Sequence, residues 1–178
     1  MLIGCCLALG AASGLCSWLV MSRASDFGAL AGYLPGALLG VGVFIAGQLA
    51  LAWPPKGPAR AGVVVLSSLL AWRLALWARE LGGPGSWVMA SVVGTMGVAA
   101  GILLAWPRQA RRKRVLAALA VTGIAGGLLF AATYELRLHS AARSPGRWWP
   151  LLLICLWQAG LVATAAWALR LTNEAPRP

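Results

Sequence analysis

The stretch that decides the fold is residues 86–114, which read SWVMASVVGTMGVAAGILLAWPRQARRKR. Its first part, 86–106, carries no charged residue. About 20 predominantly apolar residues are enough for a helix to cross a hydrocarbon layer about 30 Å thick. Pro107 ends the apolar run and a cluster of Arg and Lys follows. A long uncharged run with a basic flank is typical of a transmembrane helix and its cytoplasmic loop.

Similar apolar runs recur along the whole chain. Of its 178 residues, 60% are apolar and 11% are charged, against roughly 45–50% and 25% in soluble domains. A soluble chain of this length cannot bury that much apolar surface, whereas lipid can cover it. We therefore predict an all-α integral membrane protein, a single transmembrane domain over 1–178. It is a bundle of about six transmembrane helices, near 2–21, 28–53, 61–78, 86–106, 115–134 and 149–169.

The first apolar run is open to two interpretations. Ala11-Ala12-Ser13 faintly resembles a signal-peptide cleavage region, but no Lys or Arg precedes the run. We expect an uncleaved first helix.

The distribution of Lys and Arg predicts the orientation. With six crossings, the second and fourth loops lie on the side of both termini. That side carries nine basic residues: Lys56, Arg60, Arg108, Arg111, Arg112, Lys113, Arg114, Arg170 and Arg177. The other side carries five: Arg23, Arg79, Arg137, Arg143 and Arg147. Because the more basic side stays in the cytoplasm, we expect both termini to be cytoplasmic in a bacterial inner membrane.

The ten tryptophans are expected to act mainly as anchors at the membrane surface. An indole ring has an apolar body and one N–H donor, so it favours the headgroup boundary. Trp72 and Trp157 lie deeper than the others. Eight lie near predicted helix ends: Trp18, Trp53, Trp77, Trp87, Trp106, Trp148, Trp149 and Trp167. A ligand cage is the alternative interpretation.

Short motifs indicate an internal repeat. Leu51-Ala52-Trp53-Pro54 recurs as Leu104-Ala105-Trp106-Pro107, and Pro84-Gly85-Ser86-Trp87 parallels Pro145-Gly146-Arg147-Trp148. These matches divide the chain into three tandem two-helix hairpins near 1–60, 61–114 and 115–178, related about the membrane normal. The alternative is that aromatic belts and Pro-Gly turns recur in any multi-pass protein.

A glycine stripe marks a candidate helix-packing interface. Gly28, Gly32, Gly36 and Gly40 recur at every fourth position of the second predicted helix. Such a stripe lets another backbone approach closely, which favours van der Waals packing in lipid. The stripe packs either inside the bundle or against a neighbouring subunit. Pro35 is expected to kink the helix beside it.

Few polar side chains fall within the predicted spans, and these are the candidates for an intramembrane polar site. They are Gln48, Arg73 and Gln158, together with Glu80 on the same helical face as Arg73. Trp77, four residues after Arg73, is a candidate to stack on its guanidinium. We expect Arg73 to be an anchor that snorkels to the interface and Gln158 to bond another helix.

One further pair lies at the end of the fifth predicted helix. Glu135 and His139 would form an acid–base pair if that helix continues, although a solvated helix end is the simpler interpretation.

Several functions are disfavoured by the residues themselves. All four carboxylates lie at or beyond predicted helix ends, which argues against an intramembrane proton relay. One histidine does not provide bis-His haem ligation, and the four cysteines form no metal motif. We therefore expect no cofactor and no catalytic residue, and we assign the positive charge to contact with anionic lipid headgroups rather than nucleic acid.

Two functional hypotheses follow. The first is a non-enzymatic integral subunit that packs into, assembles or stabilises a larger membrane complex, with a membrane-protein partner or a second copy of the chain. The alternative is a small-solute or ion transporter or channel, or the membrane substrate-binding component of a multi-subunit importer. A membrane enzyme ranks third.

The orientation is testable by labelling single-cysteine variants at Gln109 and Ser140, made in a chain without Cys5, Cys6, Cys16 and Cys155. We expect an impermeant maleimide to label the Ser140 variant in intact cells and the Gln109 variant only after lysis. Labelling of the Gln109 variant from outside would reverse the orientation.

Overall fold

A computed structural model describes residues 1–51, 58–83, 85–107, 111–139 and 148–173. Within these residues six long helices follow one another: α1 (Leu2–Ser22), α3 (Leu34–Leu51), α4 (Pro58–Glu80), α5 (Ser86–Ala105), α6 (Arg112–His139) and α7 (Trp148–Asn173). The short helix α2 (Ala24–Phe27) and a 3-10 turn (Gly28–Gly32) join α1 to α3. All six long helices have the length and hydropathy of membrane spans. The predicted all-α bundle of six spans is confirmed.

The second span begins later than the sequence indicates. The apolar run starts at Gly28, but this glycine has φ +53°, in the left-handed region, and α3 begins only at Leu34. Pro35 then occupies the first turn of α3, where its missing N–H costs nothing. The predicted kink at Pro35 is therefore wrong, because the proline starts the helix instead of interrupting it. Residues 52 and 53, the predicted end of this span, lie outside the described residues.

The six spans form a closed ring in which neighbours in sequence are neighbours in space. α1 contacts α3, each later span contacts the next, and α7 returns to α1; α3 and α7 also contact each other across the ring. The paired positions run in opposite directions, as where Gly10 faces Ala159 and Gly14 faces Cys155 between α1 and α7. The start of α1 and the end of α7 therefore lie at one end of the bundle, here named the terminus end. The opposite end is named the distal end.

Pairs of glycines spaced four residues apart lie at four of the six helix contacts around this ring. They are Gly10 and Gly14 at α1–α7, Gly36 and Gly40 at α3–α4, Gly97 and Gly101 at α4–α5, and Gly123 and Gly127 at α5–α6. At each pair the neighbouring helix fills the space that a side chain would need. A Cβ at Gly40, for example, would lie 2.7 Å from the Cα of Val65. Such close contact maximises van der Waals attraction between helices in lipid.

The predicted four-residue stripe is split by the late start of α3. Gly36 and Gly40 lie against α4 of the same chain, where a Cβ at Gly36 would be 2.7 Å from the Cβ of Trp72. Gly28 and Gly32 precede the helix, and a Cβ at either would meet no atom within 4 Å. A continuous stripe through all four glycines is therefore absent from this part of the chain, since only two of them share a helix.

Large apolar side chains cover the outside of the ring. On α4, Leu66, Leu70, Leu74 and Trp77 are 61%, 60%, 53% and 58% exposed. Their spacing of three to four residues makes them one helical face. Small residues inside and large apolar residues outside are the arrangement expected of helices that lipid surrounds.

The apolar core fills the terminus half of the ring. It includes Val43 of α3, Val64 of α4, Ile102 of α5, Leu119 of α6 and Leu161 of α7. Trp106, just after α5, is also fully buried there. Its ring stacks on Phe44, with centroids 6.1 Å apart, and lies against the backbone of Gly47. The prediction that Trp106 anchors the chain at the membrane surface is therefore wrong.

Gly36 and Gly32 provide a matched test of this packing. Gly36→Leu forces extra atoms into the α3–α4 contact, and we expect it to lower the free energy of unfolding by about 1–3 kcal/mol. Gly32→Leu meets no neighbour and should leave the melting temperature of the detergent-solubilised chain unchanged. Equal melting temperatures for the two variants would contradict the α3–α4 contact.

Candidate functional site

The distal half of the ring encloses a cavity of about 430 Å³. All six long helices contribute to its wall. Trp18 of α1 and Leu39 of α3 lie on one side, and Phe130 of α6 and Ile154 of α7 on another. The lining reaches Ser22 and Arg79 in the last turns of α1 and α4, which places the mouth at the distal end. The terminus side is closed by the apolar core.

Four aromatic side chains form a continuous wall around the cavity, here named the aromatic chain: Trp72, Trp87, Phe130 and Trp157. Trp87 and Phe130 stack with centroids 5.7 Å apart and planes at 7°. Phe130 meets Trp157 edge to face at 6.5 Å, and Trp157 meets Trp72 at 6.3 Å. These separations are in the range of favourable aromatic pairs. The aromatic chain links α5, α6, α7 and α4.

A hydrogen bond and a neighbouring glycine fix the position of Trp157. Its Nε1–H donates to Ser91 Oγ at 3.1 Å. Its ring fills the space beside Gly126, where a Cβ would be 2.7 Å from the indole nitrogen. The aromatic wall is thus held in place from two sides.

Arg79 lies at the mouth of the cavity. Its guanidinium carbon is 4.1 Å from the centroid of the Trp87 ring, within cation–π range. Its Nη1 donates to Ser86 Oγ at 3.3 Å, whereas its Nε is buried without a hydrogen-bond partner. Arg79 is the charged residue among those that line the cavity, and no carboxylate lines it within the described ranges.

The tryptophans have two roles instead of the single one predicted. Trp77 and Trp167 are 58% and 45% exposed and face outward, in keeping with surface anchors. Trp18 and Trp87, also predicted as anchors, line the cavity together with Trp72 and Trp157. Trp18 and Trp87 thus line the cavity although they lie near helix ends, and the alternative of a ligand cage fits the geometry of these four tryptophans. Trp53 lies outside the described residues.

The structure does not bring the four predicted polar residues together. Arg73 points outward and lies over the ring of Tyr33, 5.9 Å from its centroid, and not over Trp77. Glu80 is exposed at the distal end of α4, and no ion pair between it and Arg73 is present in the described part of the chain. The outward position of Arg73 agrees with an anchor.

Gln158 joins two helices. Its Oε1 accepts from Ser13 Oγ at 2.6 Å, and its Nε2 donates to Ser17 Oγ at 3.1 Å. The side chain is fully buried between α7 and α1. The expected interhelical bond is present and closes the ring beside Gly10 and Gly14. Both polar atoms of Gln48, in the terminus half of α3, are buried without a hydrogen-bond partner.

The backbone of α6 continues through His139, which meets the condition for the pair of Glu135 and His139. The side chains of both residues lie outside the described part of the structure. Among the residues that are described, no group of three or more His, Cys, Asp or Glu side chains is arranged to hold a metal ion.

Sequence reasoning found Arg73 but missed Arg79, six residues later on α4. The signal was present in part, because Arg79 ends a helix and Trp87 begins the next. Their contact depends on the turn between α4 and α5, where Gly82 and Gly83 have φ of +77° and +82°. Hydropathy and periodicity are properties of one helix at a time, so they do not show that the end of α4 contacts the start of α5.

The fold and the cavity define a class: a multi-pass membrane protein of six helices with an aromatic cavity in one half of the bundle. No family model, curated protein or solved structure shows significant similarity to the chain.

The two arginines of α4 should respond differently to substitution. Arg73→Lys and Arg73→Gln should leave the melting temperature of the purified chain unchanged, because Arg73 is exposed and its guanidinium lies over the ring of Tyr33. Arg79→Gln should lower it, since a desolvated cation–π contact contributes about 1–2 kcal/mol, or roughly 2–8 °C. A larger loss for Arg73→Gln than for Arg79→Gln would contradict the assignment.

Proposed function

We propose that this chain is a small-molecule-binding membrane protein, the substrate-binding component of a transporter. The observation that carries the proposal is the cavity of about 430 Å³ in the distal half of the ring. Ligand sites have volumes of about 300–1,000 Å³ and combine an apolar lining with a few polar groups. The aromatic chain and Arg79 supply both.

The contrast between the two halves of the ring supports this proposal. A chain that served only as a packing subunit would gain stability by filling its interior, since a cavity forfeits dispersion contacts. Here the terminus half is filled by Val43, Ile102 and Trp106, while the distal half is left hollow. A cavity of this size forgoes such contacts, and a bound ligand would restore them.

The proposed orientation fits uptake. With both termini in the cytoplasm of a bacterial inner membrane, as the Lys and Arg distribution favours, the mouth of the cavity would face outward. A substrate would enter from outside and rest on the closed terminus half. The buried apolar core in the terminus half supports an importer component over a channel.

A membrane partner is also part of the proposal. The sequence contains no phosphate-binding glycine loop, so nucleotide-driven transport would take its energy from another subunit. The first hypothesis, a non-enzymatic subunit of a larger complex, stays a prediction and is compatible with this role. The glycine stripe no longer favours it specifically, because Gly36 and Gly40 are occupied by α4.

The proposal is tested by substitutions that fill the cavity and should prevent ligand binding. Ala90 of α5 and Ala75 of α4 line the cavity, so Ala90→Leu and Ala75→Leu reduce its volume. We expect native mass spectrometry of the gently solubilised wild type to show a co-purifying small molecule, and both variants to lose it. Their melting temperatures should stay at or above that of the ligand-free wild type, because filling a void restores contacts.

Ala100→Leu is the control, since it is the same substitution on the same helix at an exposed position. It should retain the bound molecule. The proposal fails if the wild type carries no small molecule in either detergent or nanodiscs, or if Ala100→Leu loses it as readily as Ala90→Leu.

A further inference from the structure

The serine side chains that line the cavity are bonded within the protein or buried in helix contacts. Apart from the tryptophans, the described lining residues with polar side chains are Ser22, Ser68, Ser91 and Arg79. The hydroxyl of Ser22 donates to the backbone carbonyl of Leu19 at 2.9 Å. Ser68 Oγ has no exposed surface and lies in the α3–α4 contact, 3.2 Å from where a Cβ at Gly40 would be. Neither hydroxyl proton is therefore available to a ligand.

Trp72 and Trp157 present ring carbons to the cavity instead of their N–H groups. The Nε1–H of Trp157 donates to Ser91 Oγ at 3.1 Å, so each of these two groups already has a partner within the wall. Nε1 of Trp72 has no exposed surface. Because both rings line the cavity all the same, the surface that they offer to a ligand is apolar.

Arg79 brings its charge to the mouth and not to the interior. It lies in the last turn of α4, and its Nε has no exposed surface. Its guanidinium lies over the ring of Trp87 and its Nη1 donates to Ser86 Oγ. Below this position, no charged side chain lines the cavity among the residues that the structure describes.

A cavity with such a wall selects uncharged and apolar ligands. A charged or hydrogen-bonding group that enters it gives up its water and finds no partner in exchange, which is costly. An apolar molecule has no such group to satisfy and gains by leaving water. The lining therefore discriminates against polarity.

The size and shape of the cavity favour fused rings. An apolar cavity of about 150 Å³ binds benzene, so the 430 Å³ here accommodates about three such rings. The aromatic chain supplies rings for edge-to-face and offset contacts, which favour an aromatic partner over an alkyl chain. Small side chains at Ala71, Ala75, Ala90 and Gly94 leave room beside it.

We infer that the cavity binds an uncharged, apolar molecule of about three fused rings. This rests on the proposed function, whose substrate class it names. The rings of the ligand lie against Trp72, Phe130 and Trp157, and no hydrogen bond to the protein is needed. Selection is by shape and by the absence of charge.

The probe is 9-methylanthracene, measured by equilibrium dialysis against the full chain in nanodiscs, with uptake by empty nanodiscs subtracted. Three relatives replace its methyl group: 9-anthracenemethanol carries a hydroxyl, 9-anthracenecarboxylate a negative charge and 9-anthracenylmethylammonium a positive one. We expect the alcohol to bind about tenfold more weakly than the probe and both ions about a hundredfold more weakly. Tetradecane, an apolar chain, should not displace the probe at an equal concentration in the membrane.

Substitutions then locate the bound molecule. Trp157→Leu should weaken the binding of 9-methylanthracene about tenfold, because ring contacts are lost. Trp167→Leu is the matched control, since it makes the same change on α7 at an exposed tryptophan, and it should leave the affinity unchanged. Phe130→Leu provides a second test of the aromatic chain if Trp157→Leu lowers the yield of folded protein. Ala90→Leu should abolish saturable binding.

The outcomes separate this inference from the proposed function. The inference is wrong if either ion binds as tightly as 9-methylanthracene, and a carboxylate whose affinity falls in Arg79→Gln would identify an anion site instead. It is also wrong if the probe shows no saturable binding, if tetradecane displaces it, or if Trp157→Leu and Trp167→Leu have equal effects. In each case the proposed function stands if Ala90→Leu still removes a co-purifying molecule, and falls only if that test also fails.

Discussion

The close approach of helix backbones at paired glycines is the constraint on which the rest of the structure depends. Between spans in lipid there is little hydrophobic force, so attraction comes from contact, and contact is greatest where side chains are absent. Gly10 and Gly14 join the last span to the first, and Gly36 and Gly40 join α3 to α4. Similar pairs lie at the α4–α5 and α5–α6 contacts, so four of the six contacts around the ring have paired glycines. The helices surround an interior space, and the side chains that line this space determine whether it is packed or forms a cavity.

The interior of the bundle is packed differently in its terminus half and its distal half. In the terminus half, branched apolar side chains and the buried ring of Trp106 form the apolar core. In the distal half, the large side chains are tryptophans and a phenylalanine that pair with one another along the wall. Because the rings stack side by side, they line the space without filling it. Tryptophan, which commonly anchors a span at the membrane surface, here lines the cavity.

The helices were predictable and the site was not, for a physical reason. Span length and hydropathy are local properties, so five of the six spans follow from the sequence to within a few residues. The start of α3 was missed because apolarity alone does not reveal the left-handed backbone at Gly28. Which way Trp87 or Trp106 faces depends on the partners across the ring. Periodicity marks a face but not what lies opposite it. Gln158 was easier to interpret, because a buried amide must find a partner wherever it points.

The hollow distal half also has a mechanical consequence. Internal void volume is eliminated when a protein unfolds, so hydrostatic pressure acts hardest where packing is least complete. In this chain that is the half walled by the aromatic chain, while the terminus half, which holds the apolar core, has less volume to lose. Compression would therefore act unevenly along the bundle axis. A ligand bound in the cavity would fill this volume and reduce the difference in compressibility between the two halves. The compressibility of the bundle would therefore differ between the ligand-bound and the ligand-free protein.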